Sequence, residues 1–218
     1  MKKALSVFFI CCLVLSCSKK DEVVEPTPSN VDFTPMSVGN YWVYGNFRID
    51  TLGNENQLPR IDSVSITGKE IIRSKTYYVF KGSYYFTSAG ENSILWKLRD
   101  SSGYLVDTNG RIQFAHNNFS DSLDVYCLVN PRQNDTVYCH AYQLQKSVYP
   151  ITVPAGTFNA LNYQRLITLY GHYARPNVPN PREWDTFYAN GVGRILETTF
   201  YASQPGHNEI RLLRYRVN

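Results

Sequence analysis

The chain has no apolar run long enough to cross a bilayer as a helix. Its longest, Ala4 to Leu15, falls well short of the ~20 residues such a span needs. After residue 22 there is no run of Lys and Arg interleaved with aromatics, so nucleic-acid binding has no electrostatic footprint. The basic residues beyond position 150 are all arginines and share that region with four acids, the pattern of a solvated face. A Gly-x-Ser-x-Gly elbow and a phosphate-binding glycine loop are both missing. The four histidines, at 116, 140, 172 and 207, lack metal-site spacing and are expected at the surface or at sheet edges. No metal and no cofactor is therefore expected. Segments rich in Ala, Leu, Glu and Lys are absent, whereas 17 Tyr and 11 Phe favour strands.

What is present begins with Met1-Lys2-Lys3, the apolar run, and then Ser16-Cys17-Ser18-Lys19-Lys20-Asp21-Glu22. A charged start and a short apolar core make a secretory signal. The junction Val14-Leu15-Ser16-Cys17 resembles the lipobox of bacterial lipoproteins, which implies cleavage before Cys17 and a diacylglycerol on its sulfur. Leu15 and Val14 depart from the commonest residues of that motif, and Cys11 and Cys12 follow bulky Phe9 and Ile10. Two or more acyl chains make anchoring stable where one does not. The resemblance implies an outer-membrane lipoprotein, lipid-anchored and facing the periplasm or the cell surface, with the membrane as its first partner.

Residues 18–30 are polar, with Pro26-Thr27-Pro28 and no hydrophobic face, and read as an extended linker of roughly 40 Å reach. Lys20-Asp21-Glu22 resembles the export signal of some Bacteroidetes surface lipoproteins, and equally reads as a solvated linker. The domains expected are thus a signal peptide over 1–16, a lipidated cysteine with linker over 17–30, and a β-rich domain over 31–218.

Within that domain Tyr41, Val43, Phe47 and Ile49 alternate with Asn40, Asn46, Arg48 and Asp50, a half-buried strand. Residues 61–72 and 76–86 bracket Arg73-Ser74-Lys75 as a hairpin, with Tyr78, Phe80, Tyr84 and Phe86 on one face and Gly82 as a bend. Such a stripe can stack sugars and can equally be core. Turns at 100–103 and 108–110 join strands 94–98, 104–106 and 112–114. Further strands are expected at 161–169, 183–188, 195–201 and 210–217, with a long proline-rich loop at 172–185. The fold class is all-β and mainly antiparallel: a strongly curved meander, open barrel or sandwich.

Strands 124–129 and 136–144 flank the loop 130–135 and place Cys127 and Cys139 symmetrically about it. A cross-strand disulfide suits that geometry and an oxidising envelope, and two buried thiols are the alternative.

Val153-Pro-Ala-Gly-Thr-Phe158 and Tyr188-Ala-Asn-Gly-Val-Gly193, behind Pro35-Met-Ser-Val-Gly-Asn-Tyr-Trp42, resemble motifs of a group of uncharacterised Bacteroidetes-type envelope lipoproteins. There they begin or cap strands of a curved antiparallel sheet. The motifs are turn chemistry, so the resemblance implies a fold and transfers no catalytic residue. Asp50-Thr51-Leu52, Asp62-Ser63-Val64, Asp121-Ser122-Leu123 and Asp135-Thr136-Val137 also resemble O-glycosylation sites of such proteins.

Glu183 and Asp185 would stand about 7 Å apart on one strand face, a separation compatible with a glycosidase pair but commoner for solvated acids. The leading expectation is a non-enzymatic binding or structural module. One alternative is a hydrophobic-ligand or lipid carrier with a β cavity. Another is a glycan-binding surface protein or glycan-active hydrolase. Candidate ligand contacts are Trp96, Tyr173 and Trp184, and candidate partners are a glycan, a hydrophobic ligand or an envelope protein.

Overall fold

Turn chemistry sets the meander. Ile72 and Lys75 pair across a two-residue turn in which Arg73 and Ser74 take φ of 51° and 62°. Two successive left-handed residues give the connection whose twist matches that of the flanking strands. The computed structural model describes residues 32–84, 93–200 and 205–218, and residues Val31–Asn218 form one unit. Cys17, the signal and the linker lie outside the described residues, as does Phe86.

The described residues form thirteen strands in order: β1 (Tyr41–Ile49), β2 (Glu55–Ile72), β3 (Lys75–Gly82), β4 (Ser93–Asp100), β5 (Tyr104–Asp107), β6 (Ile112–Ala115) and β7 (Leu123–Asn130). Then come β8 (Asp135–Val153), β9 (Gly156–Leu169), β10 (Arg182–Trp184), β11 (Thr186–Ala189), β12 (Gly193–Thr199) and β13 (His207–Arg216). Apart from a 3-10 turn at Gly171–Tyr173 there is no helix among the described residues.

Every pairing is antiparallel, in the order β6-β5-β4-β3-β2-β1-β13-β12-β11-β9-β8-β7, with β10 added beside β9. The sheet curls into a nearly closed barrel. Phe114 of edge strand β6 packs on Tyr188 of β11 at 4.2 Å between ring centroids and on Tyr163 of β9 at 5.6 Å. Among the described residues the two edges do not pair through their backbones; Arg111, just before β6, bonds Asp124 of β7 at 2.9 Å. Ile66, Phe114, Leu144, Ile195, Ile210 and Leu212 form the driest part of the interior. Each such side chain contributes about 1.5–3 kcal/mol by leaving water.

The structure departs from simple alternation on β1, where Trp42 to Phe47 are all buried. Bulges at Val43/Tyr44 and Gly45/Phe47 rephase the strand, and Leu213 covers Gly45 from outside. Asn40 and Asn46, expected on a polar face, are fully buried because each has partners there. Asn40 Nδ2 donates to the Pro35 carbonyl and its Oδ1 accepts from Asn218 N–H. Asn46 Nδ2 donates to Asp62 Oδ2 at 2.9 Å.

Two further departures concern connections. The Val153–Phe158 motif is a tight hairpin, since Val153 ends β8 and pairs with Gly156 of β9. The 172–185 stretch is less of a loop than expected. Asn180 donates to and accepts from the Leu169 backbone, and residues 182–184 then add to β9 as β10.

Candidate functional site

A half-open cavity of about 390 Å³ lies in the curve of the sheet. Its apolar wall comes from successive strands of the first half of the sheet: Trp42, Val64, Phe80, Leu98 and Leu105. They share the inner face because paired residues of neighbouring strands point the same way, as Phe80 does with Ile66 and Trp96. Trp42 and Phe80 stack at 6.5 Å, and Trp96 meets Phe80 and Tyr84 edge-on at 6.4 and 5.2 Å.

The opposite wall is polar and belongs to β10–β12. Arg194 Nη1 donates to Glu197 Oε2 at 2.7 Å and to the Tyr84 hydroxyl oxygen at 2.8 Å. Tyr84 donates in turn to Glu197 Oε2, and Trp184 Nε1 donates to Glu197 Oε1 at 3.1 Å. The guanidinium also lies over the rings of Tyr84, Tyr44 and Trp96 at 4.5, 5.2 and 5.7 Å. Side-chain exposure is only 16% for Arg194 and 10% for Glu197, so the pair is largely withdrawn from solvent.

Burial raises the Tyr84 phenol well above its ordinary pKa, which keeps it a neutral donor. Burial also raises Tyr188 and Tyr44. For Arg194 burial acts against the charge, but Tyr84 and Glu197 outweigh it and the guanidinium is held more firmly charged than in water.

The segment 32–36 closes another side. Phe33, Thr34, Pro35 and Met36 line the cavity without belonging to a strand. Asp32 N–H donates to Asn190 Oδ1 and Gly191 N–H donates to the Asp32 carbonyl, both at 2.8 Å. Thr34 Oγ1 hydrogen-bonds His116 Nε2 at 3.1 Å, and Phe33 packs on Phe114. Burial lowers the His116 pKa against the opposing pull of Asp100 and Asp32.

Trp96 and Trp184, expected as ligand contacts, both line the cavity. Tyr173 does not join them: it sits on the 3-10 turn, and its hydroxyl accepts from Asn130 Nδ2 at 2.8 Å. Arg194, Glu197 and Tyr84 as a unit were not expected, and period-two reading puts residues 194 and 197 on opposite faces. Glu183 is exposed on β10, while Asp185 accepts from Asn162 and Gln164 at 2.7 and 3.0 Å. Neither acid lines the cavity.

Cys127 and Cys139 pair directly across β7 and β8, with Cα atoms 4.1 Å apart and sulfurs bonded. His140, expected near the surface, is 5% exposed because it stacks among Tyr126, Tyr138 and Tyr142. Among the described residues no group of three His, Cys, Asp or Glu is placed to hold a metal, and no helix is long and apolar enough to cross a membrane.

No family model matches the sequence, and neither does any curated protein. Among solved structures, a "putative lipoprotein" from Parabacteroides distasonis ATCC 8503 is 13% identical, with a TM-score of 0.42 over 87% of this chain and 100% of that one. A "putative exported protein with YmcC-like fold" from Bacteroides fragilis NCTC 9343 is 11% identical, with a TM-score of 0.38 over 85% of this chain and 99% of that one. At such distances they bear on neither function nor site.

Proposed function

We propose that this is an outer-membrane lipoprotein, anchored through Cys17, whose barrel binds a small, largely apolar ligand without transforming it. The observation that carries the binding reading is the cavity itself: about 390 Å³, walled by aromatics, with a few convergent polar groups. That volume and that mixture suit small-molecule sites, which run to roughly 300–1,000 Å³. The anchor rests on the Ser16-Cys17 junction and the short apolar run before it. Placement of Trp96 and Trp184 in the cavity wall favours a ligand held within the concavity over a sugar stacked on an exposed platform.

All three tryptophans of the chain, Trp42, Trp96 and Trp184, line the cavity, so emission excited beyond the tyrosine band reports on it. Titration with uncharged and charged ten-carbon amphiphiles should change that emission saturably. Protein purified from its own envelope should carry a small molecule in native mass spectra. Unchanged emission with every probe and an empty spectrum would end the binding reading. Replacing Cys17 with Ala should abolish acyl labelling and release the protein from the membrane fraction; retained labelling would end the anchor reading.

A further inference from the structure

We infer that the cavity selects an uncharged ligand: an apolar body whose head is a carbonyl or hydroxyl, as in an ester, amide or alcohol, and neither a carboxylate nor an amine. The inference rests on the cavity-binding reading above and specifies the chemistry of that site.

The charges in the cavity wall are already balanced. Among the described residues Arg194 and Glu197 are its only ionised lining groups, and they pair with each other at 2.7 Å. A carboxylate ligand would place two anions beside one cation, and an amine would do the reverse. Either leaves an uncompensated charge in a site shielded from water, where an unpaired ion is penalised far more than at a surface.

The polar groups left over are neutral. Tyr188 and Gln113 both line the cavity, and neither side chain makes a hydrogen bond among the described residues. Tyr188 is a phenol that burial keeps protonated. Gln113 supplies an amide, donor and acceptor together. Donors also outnumber acceptors across this wall. Glu197 already accepts from Tyr84, Arg194 and Trp184, while Arg194 carries five N–H groups. A head that mainly accepts hydrogen bonds fits that surplus, and one that mainly donates does not.

The test compares three probes of one chain length, methyl decanoate, decanoate and decylammonium, by tryptophan fluorescence at pH 8 below their micelle concentrations. The ester should bind on the order of tenfold or more tighter than either ion, which corresponds to about 1.4 kcal/mol. Glu197→Gln leaves Arg194 unbalanced and should turn the preference towards decanoate. The double variant Arg194→Gln/Glu197→Gln restores neutrality and should restore preference for the ester, with circular dichroism reporting whether each variant is folded. If wild-type protein binds decanoate or decylammonium as tightly as the ester, the inference is wrong while cavity binding stands. If none of the three changes the emission, the binding reading fails as well. Should Glu197→Gln not fold, the wild-type ranking still decides.

Discussion

Arg194 and Glu197 lie three residues apart on β12, yet their side chains meet at 2.7 Å on the same face of the strand. In a regular strand an odd separation sends two side chains to opposite faces. The register explains the exception. Tyr188 pairs with Arg194 and Phe187 with Leu196, so Ile195 is an extra residue on β12. This bulge shifts the alternation by one and turns both charged side chains inwards, while Ile195 itself is fully buried. A local irregularity in one ladder thus builds the polar wall of the cavity.

Because the pair is buried and shares Tyr84, its two members should be strongly coupled. Arg194→Met or Glu197→Leu alone should destabilise the domain by about 3–5 kcal/mol, each leaving an uncompensated charge. The double variant should recover most of that loss, since it removes both charges together. Urea unfolding of the four proteins gives the coupling energy directly. Additive losses would show that the two side chains act independently, contrary to their geometry.

His140 predicts a pH dependence of stability. Burial, and then the Arg165 guanidinium whose Nη2 lies 2.7 Å from its Nδ1, lower its pKa to about 4. Asp124 opposes that shift, Arg111 adds to it, and the remaining neighbours are tyrosine rings. The unfolded imidazole takes up a proton near pH 6.5 and the folded one does not, so the unfolded state binds more protons between those values. The stabilisation is therefore complete above about pH 6.5, declines as pH falls towards 4, and is flat below. The loss amounts to about 3 kcal/mol over that window. His140→Gln should flatten the stability profile there relative to wild type. Parallel profiles would mean that the imidazole is protonated in the fold.

Much of the sheet was legible because its turns are local chemistry. Arg73-Ser74, Ser102-Gly103 and Asn109-Gly110 stand between apolar runs, and each becomes a hairpin joint at the expected place. The strand-rich class was legible too, from aromatic-rich segments without helix formers, while the curvature was what the resemblance of the turn motifs implied. The polar wall was not. Period two assumes unbroken alternation, and nothing in Gly193-Arg-Ile-Leu-Glu197 announces that Ile195 is unpaired. Burial of Asn40 and Asn46 was hidden for a related reason: their partners, Asn218 and Asp62, come from distant positions that only pairing brings near. Trp96 and Trp184 came to notice as large aromatics on strands, which mark packing or contact, and both stand in the cavity wall. Tyr173 drew notice from the long stretch at 172–185, and the structure sets it on the 3-10 turn beside Asn130, apart from the cavity.

Gly82 offers a test of close backbone packing. It has φ of 144°, and a Cβ there would overlap the Ser63 carbonyl on β2. Both atoms are backbone, so neither can move aside cheaply. Gly82→Ala should cost about 2–3 kcal/mol in chemical denaturation. Gly68→Ala, on the same pair of strands, meets nothing within 4 Å and has no positive φ. It should change stability by no more than about 1 kcal/mol, with any gain coming from a stiffer unfolded chain. Equal effects at the two positions would contradict the packing.

The last prediction concerns the edge at β7. Among the described residues this strand has a neighbour on one side only, β8, and residues 125–129 are exposed. A strand held by one ladder and little apolar burial is the part of a sheet that opens first. The Cys127–Cys139 bond joins it to β8 across 12 residues of chain, and a closure of that length contributes about 3 kcal/mol against the reduced chain. Protein purified from an oxidising compartment should gain the mass of two hydrogens on reduction and should resist thiol alkylation before it. After reduction, amide exchange should quicken first in residues 124–130, with β1 and β13 at the centre of the sheet little affected. Cys127→Ser/Cys139→Ser should reproduce that pattern without reductant. An unchanged mass on reduction, or alkylation of the folded unreduced protein, would leave β7 held by its hydrogen bonds alone.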